Sequence, residues 1–134
     1  MKHSILVFAC LFALCLSSSC EKAQQIHLIS AHTWVVTELS TVSNFAQIGD
    51  ELTFLDNRLF FNHSNGIETD GQWNFLIKNA GGGPIVSYDM KALSITSNFS
   101  YYEFSIVNLT TEVLEISTTT SNFGALTVRL EAKE

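Results

Sequence analysis

YEFSIVNLTTEVLEISTTTSNFGALTVRLE, residues 102–131, carries three apolar runs of period two. Tyr102, Phe104 and Ile106 alternate with Glu103 and Ser105; Leu114 and Ile116 alternate with Glu115 and Ser117; Leu126, Val128 and Leu130 alternate with Thr127, Arg129 and Glu131. Successive side chains of a strand point to opposite faces, so each run presents one apolar and one polar face. The turns at Asn108 to Thr111 and Ser121 to Gly124 are too short for the crossover that parallel strands require, so the three strands form an antiparallel meander.

The same pattern extends upstream. Trp34 and Val36 share one face of a first strand, with Thr33, Val35 and Thr37 on the other. A loop runs through Asn44 to Asp50, and Leu52 and Phe54 lead the second strand. Asp56-Asn57 is a tight turn into Arg58 to His63, since both residue types tolerate a left-handed backbone. After Ser64-Asn65-Gly66 a fourth strand covers Gln72 to Ile77, with Trp73, Phe75 and Ile77 on one side and Gln72 and Asn74 on the other. Asn79 to Pro84 (NAGGGP) has the composition of a mobile loop, because three consecutive glycines lose the most entropy on ordering. No Lys-Ser or Lys-Thr follows it, which argues against a phosphate cradle. Ile85 to Thr96 supplies one long strand or two short ones, with Leu93 and Ile95 as core residues. The chain has one proline, and nothing in the strand region has the pattern of a covering helix. The expected fold class is all-β: about eight strands in an antiparallel up-and-down β-barrel, because closure hides sheet edges.

The N-terminus has a different character. Lys2 and His3 precede an unbroken apolar run from Ile5 to Leu16, followed by Ser17-Ser18-Ser19-Cys20. The run is too short to span a bilayer but fits a secretory signal, giving an expected signal peptide over residues 1–19. The junction resembles the lipobox of bacterial lipoproteins, although Ser17 stands where Leu is usual. Of three cysteines, Cys10 and Cys15 would leave with the signal, so Cys20 would be the one thiol of the mature chain. The resemblance implies lipidation of Cys20 by palmitate-type acyl chains, several of which are needed for stable anchoring. Glu21 is not the aspartate associated with inner-membrane retention, which points to the outer membrane. Residues 20–27 read as a tether, with Ile26 to Ile29 beginning one helical turn, and residues 28–134 as the barrel domain.

Over the mature region the chain resembles the lipocalin-like domains of small lipoproteins of Gram-negative bacteria. The residues carrying this are Trp34, Leu52-Thr53-Phe54, Gly71-Gln72-Trp73, Leu93-Ser94-Ile95, Ile106 to Thr110, Leu114-Glu115-Ile116 and Leu130. His32 occupies a place where such families show glycine. The resemblance implies a barrel, and in the wider lipocalin group an arginine of the last strand packs over the first-strand tryptophan. Arg129 and Trp34 are the corresponding pair; a solvated Arg129 between Thr127 and Glu131 is the alternative.

Thirteen acidic residues against seven Lys and Arg, without a basic cluster, argue against a nucleic-acid partner. His27, His32 and His63 lack the spacing of a metal site, and no G-x-S-x-G occurs, so neither a metal, a cofactor nor an enzymatic function is expected. Asp56 and Asp70 read as turn formers. Asn62-His63-Ser64, Asn98-Phe99-Ser100 and Asn108-Leu109-Thr110 match the glycosylation pattern, which carries little weight in a bacterial envelope. The aromatic residues Trp34, Phe54, Trp73, Phe75, Tyr102 and Phe104 are the expected ligand-binding set for a small apolar molecule at the barrel mouth. Alternation also places one of Phe60 and Phe61, and one of Tyr101 and Tyr102, on the outer face. A barrel filled by its own side chains would instead use such residues to contact an envelope protein, as an interaction module or inhibitor.

Overall fold

The computed structural model describes residues 21–79, 89–97, 100–120 and 124–134. Eight strands form a closed antiparallel barrel in chain order: β1 (Thr33–Leu39), β2 (Glu51–Leu55), β3 (Arg58–Asn62), β4 (Glu68–Asn79), β5 (Asp89–Ser97), β6 (Ser100–Leu109), β7 (Val113–Thr120) and β8 (Gly124–Ala132). β8 closes on β1, with Trp34 opposite Ala132 and Val36 opposite Leu130. The all-β up-and-down barrel expected from the period-two pattern is therefore the fold.

The inward faces follow the alternation. Trp34, Val36, Leu52, Phe54, Leu59, Phe61, Trp73, Phe75, Leu93, Ile95, Phe104, Leu114, Ile116, Leu126, Val128 and Leu130 form one buried cluster. Asp56 takes a positive φ of 49° in the β2–β3 turn, the left-handed conformation that Asp tolerates. Gly71 has a steric role: a Cβ there would lie 2.1 Å from the Thr96 carbonyl oxygen, so only glycine lets β4 and β5 approach at this point.

Three expectations are corrected. Ile77 does not continue the inward row of Trp73 and Phe75; it is 45% exposed, paired with Lys91. β4 starts at Glu68, four residues before the expected Gln72, because the β3 register continues from Arg58↔Gln72 to Asn62↔Glu68. Of the expected tether over residues 20–27, the described part from residue 21 is helical rather than an extended link, and the helix continues to residue 30. Lys, Ala and Gln are good helix formers, and no Gly or Pro interrupts them. This helix, α1 (described over residues 21–30), turns Ile29 into the core and packs Ile26 against it. The Trp34 indole Nε1 donates to the Ile29 carbonyl at 2.8 Å, satisfying an acceptor that a helix C-terminus leaves free. Lys91 ties Glu21 to β5 through a 2.6 Å ion pair. Residues 1–20, with Cys20, and most of the NAGGGP segment lie outside the described residues.

Candidate binding site at the barrel mouth

The segment between β1 and β2 has no strand of its own from Ser40 to Asp50, yet it sends Phe45 and Ala46 into the barrel. Phe45 is 4% exposed. Its ring centroid lies 4.7 Å from that of Phe104, 5.0 Å from Tyr102 and 5.5 Å from Phe61, the last two edge-on. Tilted and edge-on arrangements at these distances suit aromatic quadrupoles. The barrel wall thus supplies an aromatic socket, and a loop side chain fills it. Ser43 shapes the insertion locally, its hydroxyl accepting from the Phe45 and Ala46 backbone N–H groups at 3.2 and 3.5 Å.

One buried carboxylate fastens this segment. Asp50 is 1% exposed. Its Oδ1 accepts from the Ser64 N–H at 2.8 Å, while Oδ2 accepts from the Gln47 N–H at 2.9 Å and from His63 Nδ1 at 3.1 Å. Burial by itself pushes the Asp50 carboxyl up, but the Ser64 and Gln47 amides and the His63 ring together outweigh it and hold the pKa below its ordinary value. An ionised carboxylate only accepts, so His63 Nδ1 donates in this bond. His63 Nε2 meets the Thr69 hydroxyl at 3.1 Å, and the ring stacks on Phe61 at 5.3 Å. Asp50, His63 and Thr69 thereby join the loop, the β3–β4 turn and β4. A cavity of about 220 Å³ opens beside them, lined by Asn44, Phe45, Gln47, Asp50, His63 and Asn65 among others.

The six residues expected to bind ligand come together inside the barrel. Trp34, Phe54, Trp73, Phe75 and Phe104 are buried in the shared core, and Tyr102 packs against it. Phe54 and Trp73 meet edge-on at 5.2 Å, and Tyr102 and Phe104 stack at 6.2 Å. The two indoles differ. Trp34 Nε1 is bonded to Ile29, whereas Trp73 Nε1, in a residue 5% exposed, has no hydrogen-bond partner among the described residues. A buried donor left in that state costs about 1–3 kcal/mol. Sequence reading missed Phe45, because a single inserted side chain has no periodicity, and gave Asp50 no role.

Arg129 does not cover Trp34. It stands on the outer face of β8, where Glu131, Glu115 and Glu38 approach it at 3.5, 3.8 and 4.0 Å. Trp34 points inward and has His32 edge-on at 5.6 Å instead. The strand alternation that buries Val128 and Leu130 sends Arg129 to the other side.

Outside the barrel, Phe60 lies beneath the Arg58 guanidinium at 5.1 Å, and Arg58 pairs with Asp70 at 2.8 Å. A groove of about 480 Å³ there is lined by Glu51, Thr53, Phe60, Asn62, Glu68 and Asp70 among others. Tyr101 is the outward member of its pair, 62% exposed. Among the described residues no group of His, Cys, Asp and Glu is placed to hold a metal ion. Compared with family models, with curated proteins and with solved structures, the chain has no match.

Proposed function

We propose that the chain is a lipid-anchored, non-enzymatic protein of the bacterial cell envelope, acylated at Cys20 and held at the outer membrane, whose lipocalin-like barrel takes a small apolar molecule at its mouth. The observation that carries the ligand reading is the aromatic socket of Phe61, Tyr102 and Phe104, filled by Phe45 from a segment outside the strand ladder. A loop side chain can withdraw without breaking the barrel, whereas a strand side chain cannot. The membrane is the expected partner through Cys20, and nucleic acid is not.

Two experiments test the two halves of this reading. Metabolic labelling with a palmitate analogue labels the wild-type chain and not Cys20→Ser; equal labelling of both refutes the anchor. Native mass spectrometry of the full chain from a gentle envelope extract gives a small-molecule adduct released on mild activation. Phe45→Ala then holds apolar probes more tightly, because it vacates the socket. An apo mass in both proteins, with Phe45→Ala merely less stable, supports the second reading, a solid barrel that contacts an envelope protein. That reading draws on the continuous core and on Tyr101 and Phe60 at the outer face.

A further inference from the structure

We infer that the ligand is a neutral, elongated apolar molecule bearing an oxygen acceptor, which the indole N–H of Trp73 receives inside the barrel. This rests on the ligand-binding reading above and names the chemistry of that site. Trp73 Nε1 is a buried donor without a partner among the described residues, on the inward face of β4 beside Phe54. It lies on a register row that leads to the mouth: Trp73 pairs with Ile95, Ile95 pairs with Tyr102, and the Tyr102 ring touches Phe45. Two strand spacings of about 4.8 Å make that row roughly 10 Å long. A molecule that replaces Phe45 in the socket and pushes the buried Ile95 side chain aside brings its acceptor to Trp73.

The charge state follows from what surrounds the route. The buried polar and charged residues among those described are Ser43, Asp50 and Thr118, and none is cationic. At the mouth stands the ionised Asp50, already bonded to the His63 ring. A carboxylate ligand beyond that pair would be buried among apolar side chains without a counter-ion, which is costly in a low-dielectric interior. A ketone, ester or alcohol oxygen satisfies the indole without that cost.

The test uses the full ¹⁵N-labelled chain in lipid nanodiscs with three probes of matched length: nonyl methyl ketone, undecene and undecanoate. The Trp34 indole, already bonded to Ile29, is the internal reference in the proton–nitrogen spectrum. The expected result is that the ketone shifts the Trp73 indole proton downfield, leaves Trp34 in place, and binds about tenfold more tightly than undecene, with undecanoate weakest. Trp73→Phe abolishes the ketone's advantage, read as the ratio of ketone to undecene affinity within the same protein, while the Trp34 signal stays in place; the ratio also controls for partition into lipid. Binding of ketone and alkene with equal affinity, or an unmoved Trp73 signal in the bound state, overturns this inference and leaves the ligand-binding reading standing. Undecanoate binding most tightly overturns the neutral-ligand assignment. No binding by any probe, in wild type or in Phe45→Ala, removes both.

Discussion

Replacing Asp50 with Asn tests whether one carboxylate holds the mouth segment in place. The wild-type side chain accepts three hydrogen bonds, from the Ser64 and Gln47 amides and from His63 Nδ1, at 2.8 to 3.1 Å. Asn keeps one accepting oxygen, and its NH₂ group must face at least one N–H donor. Leaving that donor unsatisfied costs about 1–3 kcal/mol. Bonds to a neutral oxygen are roughly half as strong as those to an anion, which removes a further amount on the order of 1 kcal/mol for each of the two that remain. Relief from burying a charge offsets part of this, so we expect a loss of about 2–4 kcal/mol in chemical denaturation at neutral pH. The pH dependence fixes the cause. The folded pKa of Asp50 lies below its ordinary value of 3.8, so ionised Asp50 stabilises the fold above that value, and the contribution is lost as pH falls through the folded pKa. The gap between wild type and variant should hold from neutrality to the carboxylate range and narrow below 3.8 as protonated Asp50 comes to resemble Asn. Amide exchange at Phe45 and Ala46 should accelerate in the variant. A gap below about 0.5 kcal/mol, or one that does not change with acid, refutes the assigned role.

The remaining predictions concern the barrel and its other end. Trp34→Phe strips the donor from the buried Ile29 carbonyl and should cost about 1–3 kcal/mol, with faster exchange of amides in α1 but not in β6 or β7. Gly71→Ala puts a Cβ against the Thr96 carbonyl and forces β4 from β5; we expect a loss of at least about 3 kcal/mol, read by thermal unfolding. Arg129→Gln should change stability by less than about 1 kcal/mol and leave Trp34 fluorescence unshifted, since its ion pairs are solvent-facing; a red shift would mean that Arg129 shields the indole after all.

The strands were legible because their period is fixed by geometry and repeats through nearly the whole barrel. The Asp56-Asn57 turn was legible too, and it contained an unused clue. A hairpin centred there sets Glu51 opposite Asn62, so the next residues outward are Asp50 and His63, the two halves of the latch. Thr69 joins them because Phe61 pairs with it across β3 and β4. Those contacts follow from hairpin register, not from any motif, so a search for metal or nucleophile spacings passed over them. α1 was underread because its polar first turns lack an apolar stripe; its place is set by Ile26, Ile29 and the Trp34 indole, a tertiary contact. Arg129 went the other way: the resemblance suggested a cap over Trp34, but alternation along β8 fixed its side chain outside.

The two ends of this barrel are closed by different physics, and the proposed ligand site is argued from that difference. At α1 the closure satisfies itself: the helix buries Ile29, its carbonyl takes the Trp34 N–H, and no polar atom of that contact needs a further partner. At the mouth, Phe45 supplies apolar filling from a loop tied down by the Asp50 carboxylate, by the Ser43 hydroxyl and by backbone bonds to Val36, and across the ladder from it stands an indole N–H that the described protein atoms leave unanswered. A barrel evolved only for stability would gain by giving Trp73 an acceptor or by replacing it with Phe, which fills similar space without a buried donor. Retaining tryptophan there is costly unless the donor is used. On the ligand-binding proposal, the loop ring above and the unpartnered donor below match a molecule with an apolar body and one oxygen.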